Sequence, residues 1–167
     1  MKKITIALVL ACCIFGACII LMNGCKKKDS STTTSPTPTF TCTIDGATFT
    51  PTSISGSGTT ITATYSSVSV TQEIKITLTA SAIGTYSLTS QLIGNSGYNS
   101  AGYLTGTNVN ALTTYATNGS PWVGTCIITS STNNVISGTF NFIGVNEIPN
   151  TQNTHTIANG SFANITL

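Results

Sequence analysis

From Phe40 onward the chain alternates apolar and small polar side chains with a period of two, the pattern of strands that bury one face. Phe40, Cys42 and Ile44 alternate with Thr41 and Thr43, Asp45-Gly46 interrupts, and Ala47 and Phe49 resume. Asp-Gly between two alternating runs predicts a hairpin. Ile61, Ala63 and Tyr65 form the next run, with Val68 and Val70 expected to extend or restart it, and Ile74, Ile76 and Leu78 form another. A short strand is expected at Tyr86, Ser87 and Leu88. In the Gly-, Asn- and Ser-rich region that follows, strands are expected at residues 98–104 and 111–116. Residues 123–130 place Cys126 and Ile128 on one face, Asn133-Asn134 turns the chain, and Ile136, Gly138, Phe140 and Phe142 alternate again. A last run, residues 155–165, carries Ile157 and Phe162. About nine to ten strands with no helical period predict an all-β fold, an antiparallel sandwich or barrel.

The residues before Phe40 follow a different logic. Lys2 and Lys3 precede a nearly pure apolar run of 19 residues, 4–22, and Asn23-Gly24 then leads to Cys25. A basic start, an apolar run and a small residue at the cut form the layout of an export signal, here of the lipoprotein kind with Cys25 acylated. The rival reading is an uncleaved membrane helix, since such a run can just cross a hydrocarbon core of ~30 Å and Lys26, Lys27 and Lys28 fit its cytoplasmic side. Cleavage before Cys25 hands over directly to a polar tether, whereas cleavage before Cys18 would leave an apolar terminus; Cys25 is the expected site. Met22 and Asn23 depart from the usual Leu and small residue at those positions. Residues 1–24 are thus read as a signal peptide and 25–39 as the acylated cysteine with a Ser/Thr/Pro linker too polar to bury anything. Residues 40–167 are read as a single domain.

Charge separates the two parts. The chain as a whole carries +2, but the domain holds one lysine, Lys75, against Asp45, Glu73 and Glu147, hence −2 with His155 neutral. With no arginine and no basic cluster it lacks what displaces counterions from nucleic acid, so nucleic acid is excluded as a partner. Threonine carries the surface instead, stiff and suited to a pleated sheet, with a hydroxyl that hydrates without charge.

Candidate chemistry is sparse. Cys42 and Cys126 fall on inward faces; in an exported protein they form a candidate disulfide closing about 85 residues, worth roughly 4–5 kcal/mol on the chain-entropy model, or else two small buried hydrophobes. No C-x-x-C or H-x-x-x-H spacing points to a metal, the Asn-rich segments 95–99 and 108–110 lack an acid to hold calcium, and no cofactor is expected. His155, the only histidine, would have to serve any nucleophile–histidine–carboxylate arrangement, with Asp45, Glu73 or Glu147 as orienter, and no G-x-S-x-G elbow marks a serine. Paired carboxylates for glycoside cleavage face the same scarcity. Tyr98, Tyr103, Tyr115 and Trp122, set among Asn, Gly and Ser, are candidate ligand-binding aromatics, against the ordinary reading that alternate-strand rings fill the core.

The order of residues 40–49 (FTCTIDGATF), 84–88 (GTYSL), 124–129 (GTCIIT), 136–142 (ISGTFNF) and 159–162 (NGSF) resembles the uncharacterised β-rich lipoprotein domains common in Bacteroidota. The Ile-Ser-Gly-Thr-Phe-x-Phe strand is the most specific part. The resemblance implies location and fold and carries over no catalytic residue. Lys26 directly after Cys25 fits onward transport to the outer membrane, again by resemblance.

Three readings of function follow. The first is a lipid-anchored envelope protein, without enzymatic activity, that binds a protein or glycan partner or serves structurally. The second is a barrel-type carrier of a small apolar ligand, which requires an unfilled interior. The third is a hydrolase using His155. Acylation is directly checkable: radiolabelled palmitate is expected to enter the chain, and Cys25→Ser to abolish the label and release the protein from the membrane fraction.

Overall fold

A computed structural model describes residues 36–148 and 151–167. The residues read from sequence as a signal peptide, Cys25 and most of those read as a linker lie outside them. The described residues form eleven strands and no helix: β1 (Thr39–Ile44), β2 (Ala47–Phe49), β3 (Ser53–Ser57), β4 (Thr60–Ser66), β5 (Thr71–Thr77), β6 (Gly84–Leu88), β7 (Ser100–Gly106), β8 (Thr113–Ala116), β9 (Gly124–Thr132), β10 (Val135–Ile148) and β11 (Thr151–Thr166). They make one antiparallel sheet in the order β2-β1-β11-β10-β8-β7-β5-β4-β3, with β9 pairing an earlier stretch of β10 and β6 pairing β9. The sheet is curled into a half-barrel rather than split into a sandwich. No described helix is long and apolar enough to cross a membrane.

The turns follow from local chemistry. Asp45 and Gly46 have φ of 50° and 86°, and Asn133 and Asn134 have 52° and 62°. Left-handed φ at both central residues is what a two-residue hairpin matching strand twist requires, and Asp, Asn and Gly adopt it most easily.

β10 and β11 form the spine. Their register departs from simple pairing between Ile136 and Gly138 and between Phe140 and Phe142. On β11 the extra residues fall around Asn159 and Asn164, both with positive φ, 52° and 58°. Each such bulge bends the strand and deepens its twist, which curls the sheet. It also moves the inward side chains of β11 to Ile157, Gly160, Phe162 and Ile165, spacings that a strict period of two misses.

Between the bulges the two strands exchange rings. Gly138 lies opposite Phe162, and Phe140 opposite Gly160. A Cβ on Gly160 would fall 2.6 Å from the Phe140 ring, and one on Gly138 2.1 Å from the Ile127 carbonyl and 2.8 Å from the Phe162 ring. Each phenylalanine thus lies over the other strand's glycine, a cross-strand pairing that restores the side-chain cover glycine lacks. Phe40 continues the stack, 5.0 Å from Phe140 between centroids, with Phe49 edge-on to it at 6.4 Å.

Around these rings the interior is filled by Ile61, Ile74, Ile76, Leu88, Ile128, Ile136, Ile157 and Ile165, none more than 1% exposed. The curled sheet is drawn together along a seam. Residues 50–52 run straight from β2 into β3, with the Thr52 amide donating to the Thr64 carbonyl at 2.8 Å, and β3 passes so near the end of β11 that a Cβ on Gly56 would lie 2.1 Å from the Thr166 carbonyl oxygen.

One expectation is corrected, one strand is added and one open alternative is decided. Val68 does not extend β4 but stands fully exposed in the β4–β5 turn, where the Ser67 hydroxyl accepts from the Val70 amide at 3.1 Å. β3, whose sequence Ser-Ile-Ser-Gly-Ser carries a single apolar side chain, is a strand that alternation alone did not mark. The bridge between Cys42 and Cys126 is not formed, and both are buried free thiols. Strands β11 and β10 lie between them, three inter-strand steps of about 4.8 Å along the sheet, against the ~7 Å between Cα atoms that a disulfide tolerates. Forcing a methyl into the ring exchange should be felt: Gly138→Ala is expected to cost roughly 1–3 kcal/mol by overpacking, while exposed Thr139→Ala stays within about 0.5 kcal/mol, both read from urea denaturation midpoints.

Candidate functional site

Inward-facing residues turn from aliphatic to polar and aromatic at one end of the sheet. Register places Tyr65 of β4 opposite Gln72 of β5, Ile74 of β5 opposite Tyr103 of β7, and Tyr103 opposite Tyr115 of β8. The rings of Tyr103 and Tyr115 stack at 6.0 Å, and His155 of β11 stands edge-on to both, 5.0 Å and 4.3 Å between centroids. β10 runs between Tyr115 and His155, and Gly144, the residue opposite His155, has no side chain to hold the rings apart; a Cβ there would lie 3.1 Å from that of Tyr115. The Gln72 amide donates to the Tyr103 hydroxyl at 2.7 Å.

His155 is anchored from the β1–β2 turn. Its Nδ1 lies 2.5 Å from Asp45 Oδ2, while Asp45 Oδ1 accepts the Thr156 amide at 2.8 Å and the Asp45 amide donates to the Thr156 carbonyl at 2.8 Å. Partial burial pushes the Asp45 carboxyl upward, but the Thr156 amide and the His155 ring outweigh it and hold it below its ordinary value. The Asp-Gly that makes the hairpin therefore also clips it to β11.

A groove of about 330 Å³ opens beside this cluster, lined by Thr48, Phe49 and Thr50 on one side and Tyr65 and Gln72 on the other. It lies where β2, one edge of the sheet, faces the ends of β4 and β5. Tyr65 packs one side against the core and turns the other to the groove.

Of the aromatics singled out from sequence, the structure brings Tyr103 and Tyr115 together and leaves Tyr98 and Trp122 out of the ring cluster. Tyr103 is 3% exposed and belongs to the core. Tyr98 stands half exposed in the β6–β7 loop, and Trp122 is half buried after a cis Ser120-Pro121 bond. These two loops are joined by the buried Thr117 hydroxyl, which donates to the Ser90 carbonyl at 2.7 Å, and by the Gly119 amide, which donates to the Thr89 carbonyl at 2.8 Å. Sequence reasoning missed Tyr65 and Gln72 as site residues; the signal available was their place at the ends of neighbouring runs.

The reactive groups are constrained. Burial pushes the Cys42 and Cys126 thiols up to about 12, which leaves almost no thiolate at neutral pH. Asp45 on His155 Nδ1 is the orienting half of a nucleophile–histidine–carboxylate arrangement. Among the described residues no hydroxyl or thiol bonds the other ring nitrogen. Glu73 pairs with Lys75 at 3.0 Å on the outer face of β5, and no group of three His, Cys, Asp or Glu side chains gathers among the described residues.

The clip gives a pH dependence. Because the folded Asp45 carboxyl is held below its ordinary value near 3.8, its contribution is complete above that value and is withdrawn as the pH falls below it. Asp45→Asn is expected to lower the urea midpoint at pH 7, with the gap to the parent protein narrowing as the pH falls below 3.8 and the parent's own carboxylate is protonated.

No curated protein and no solved structure matches the chain. A family model does: it covers residues 36–166, from the first described residue to the end of β11, and the chain belongs to the family that it defines, the domain of unknown function DUF6252.

Proposed function

We propose that the chain is a lipid-anchored envelope protein, held through Cys25 and raised on its Ser/Thr/Pro stalk, whose β domain is a binding module without catalytic chemistry. One observation carries this reading: at the polar end of the sheet the titratable groups are tied into the fold, while neutral groups line the groove. Asp45 and His155 hold each other and the β1–β2 turn. Thr48, Thr50, Tyr65 and Gln72 face a groove open to a partner.

A filled interior weighs against the carrier of apolar ligands. The barrel axis is occupied by isoleucines and phenylalanines, and the hollows at Gly160 and at Asn146 open on the outer surface. The hydrolase reading keeps one specific support, the carboxylate on His155 Nδ1.

Photo-crosslinking in intact cells tests the binding reading. A photoreactive side chain at Thr48, on the groove, is expected to give a discrete adduct, and one at Thr85, on the outer face of β6, to give none. Absence of an adduct at both positions, together with an ester- or glycoside-hydrolysing activity lost in His155→Ala, would replace it by the enzyme.

A further inference from the structure

Resting on that reading, we propose that the groove between β2 and the Tyr65–Gln72 end of β4 and β5 is a binding site for an uncharged saccharide, with Tyr65 as the stacking face and Gln72 as the hydrogen-bonding group that sets its orientation.

Size is the first argument. At about 330 Å³ the groove stands at the small end of ligand sites, room for one or two sugar rings and too little for a helix or a folded partner's anchor cluster. The second is the chemistry of the walls. Thr48, Thr50, Tyr65 and Gln72 offer hydroxyls and an amide, each able to donate and accept, beside aromatic carbon from Tyr65 and Phe49. A pyranose ring presents the complement, an apolar face of C–H groups edged by hydroxyls. An aliphatic ligand would strand those wall groups unpaired, at a cost of about 1–3 kcal/mol each.

Positioning is the third. Gln72 donates its amide N–H to the Tyr103 hydroxyl at 2.7 Å, and Tyr103 is wedged between Ile74 and the stacked Tyr115. That bond fixes the amide plane and leaves the Gln72 carbonyl oxygen without a protein partner among the described residues, free to accept from a ligand hydroxyl. Tyr65 is held directly opposite Gln72 in the β4–β5 register with one side on the core. Stacking face and acceptor are therefore set before any ligand arrives, so little ordering cost falls on binding.

Charge is the fourth. Lys75 is the only lysine of the domain, and it sits on the outer face of β5 paired with Glu73 at 3.0 Å. His155 is turned to Asp45. A uronic acid, sulfate or phosphate would meet no counter-charge in the groove and would lose its hydration without repayment. The larger hollow on the outer face at Gly160, about 380 Å³, is lined by hydroxyls and amides, but its one ring, Phe140, is 3% exposed and offers no face to stack on.

The full chain in detergent, applied to a printed panel of neutral glucose, mannose, galactose and N-acetylglucosamine oligosaccharides with their sulfated and uronic-acid counterparts, tests the assignment. Retention of one or more neutral chains and of none of the charged ones is expected. Titration calorimetry with the best neutral chain should then show at least a tenfold loss of affinity in Tyr65→Ala and in Gln72→Ala, a loss of only a few fold in Tyr65→Phe, which keeps the ring, and no change in Thr85→Ala. Urea midpoints of the variants separate lost binding from lost folding. Binding confined to charged chains, or neutral binding indifferent to Tyr65 and Gln72, overturns the assignment. If no glycan binds while the Thr48 photoprobe captures a protein, the saccharide assignment falls and the binding module stands. If neither occurs, both fall.

Discussion

The exchange of rings between β10 and β11 is the constraint from which the rest of the domain takes its shape. Phe140 and Phe162 occupy the same stretch of interior only because the residue opposite each is a glycine, Gly160 and Gly138. That arrangement demands a register, and the asparagine bulges at Asn159 and Asn164 supply it by moving the inward face of β11 by one residue at each end of the exchange. A slip of one residue would turn both rings to water. The same bulges coil the spine, so the strands added on either side, β1 and β2 on one flank and β8 to β3 on the other, curl toward each other instead of stacking as a second sheet. The polar end where β2 meets β4 and β5 is a consequence of that curl, since it is the place where the seam stays open.

Burial and backbone pairing hold this sheet with very little help from ions. The described residues contain two ion pairs, Lys75 with Glu73 and His155 with Asp45, and the first is a partly exposed pair of the kind that contributes little. Buried hydroxyls do the local fastening. Thr117 is fully buried and bonds both Ser90 of the β6–β7 loop and Ala101 of β7, and Thr77 accepts the Gly94 amide while meeting the Thr60 hydroxyl. Threonine thus has two jobs in this chain: outside it hydrates the pleat without charge, and inside it ties the long β6–β7 loop to the sheet.

Most of the fold was legible because hairpins and half-buried strands write themselves locally. Asp45-Gly46 and Asn133-Asn134 marked turns that the structure contains, and the runs through Cys42, Ile76, Cys126 and Phe140 face inward as their alternation requires. Legibility failed where the determining contact is distant. Nothing local in Ser-Ile-Ser-Gly-Ser announces a strand; β3 exists because β4 pairs with it and because its glycine lets β11 come close. Ile157 and Phe162 sit in one run but five residues apart, and the bulges that put both inward are defined only against β10. Val68 satisfied the alternation and still fell in a turn, where the Ser67 hydroxyl, not the apolar pattern, decides the backbone.

The site was harder to read than the fold for a related reason. Sequence scanning for function rewards groups that are rare or charged, which drew attention to His155, to the cysteines and to the tyrosines and tryptophan of residues 98–122. In this chain the rare groups are absorbed by the architecture: His155 braces a turn, both thiols are buried, and Tyr103 positions a glutamine. What remains available is common and neutral, a tyrosine and a glutamine facing each other across two strands, which no spacing rule separates from any other polar strand end. Weak neutral contacts suit the proposed tether. A small groove without charge gains modest affinity per copy, but domains held to one surface as proposed would meet a repeating polymer many at a time, and effective concentration would then multiply what each contact lacks. Under the proposed binding the poverty of charge would serve the same end, because a face with few charges also limits repulsion between closely crowded copies.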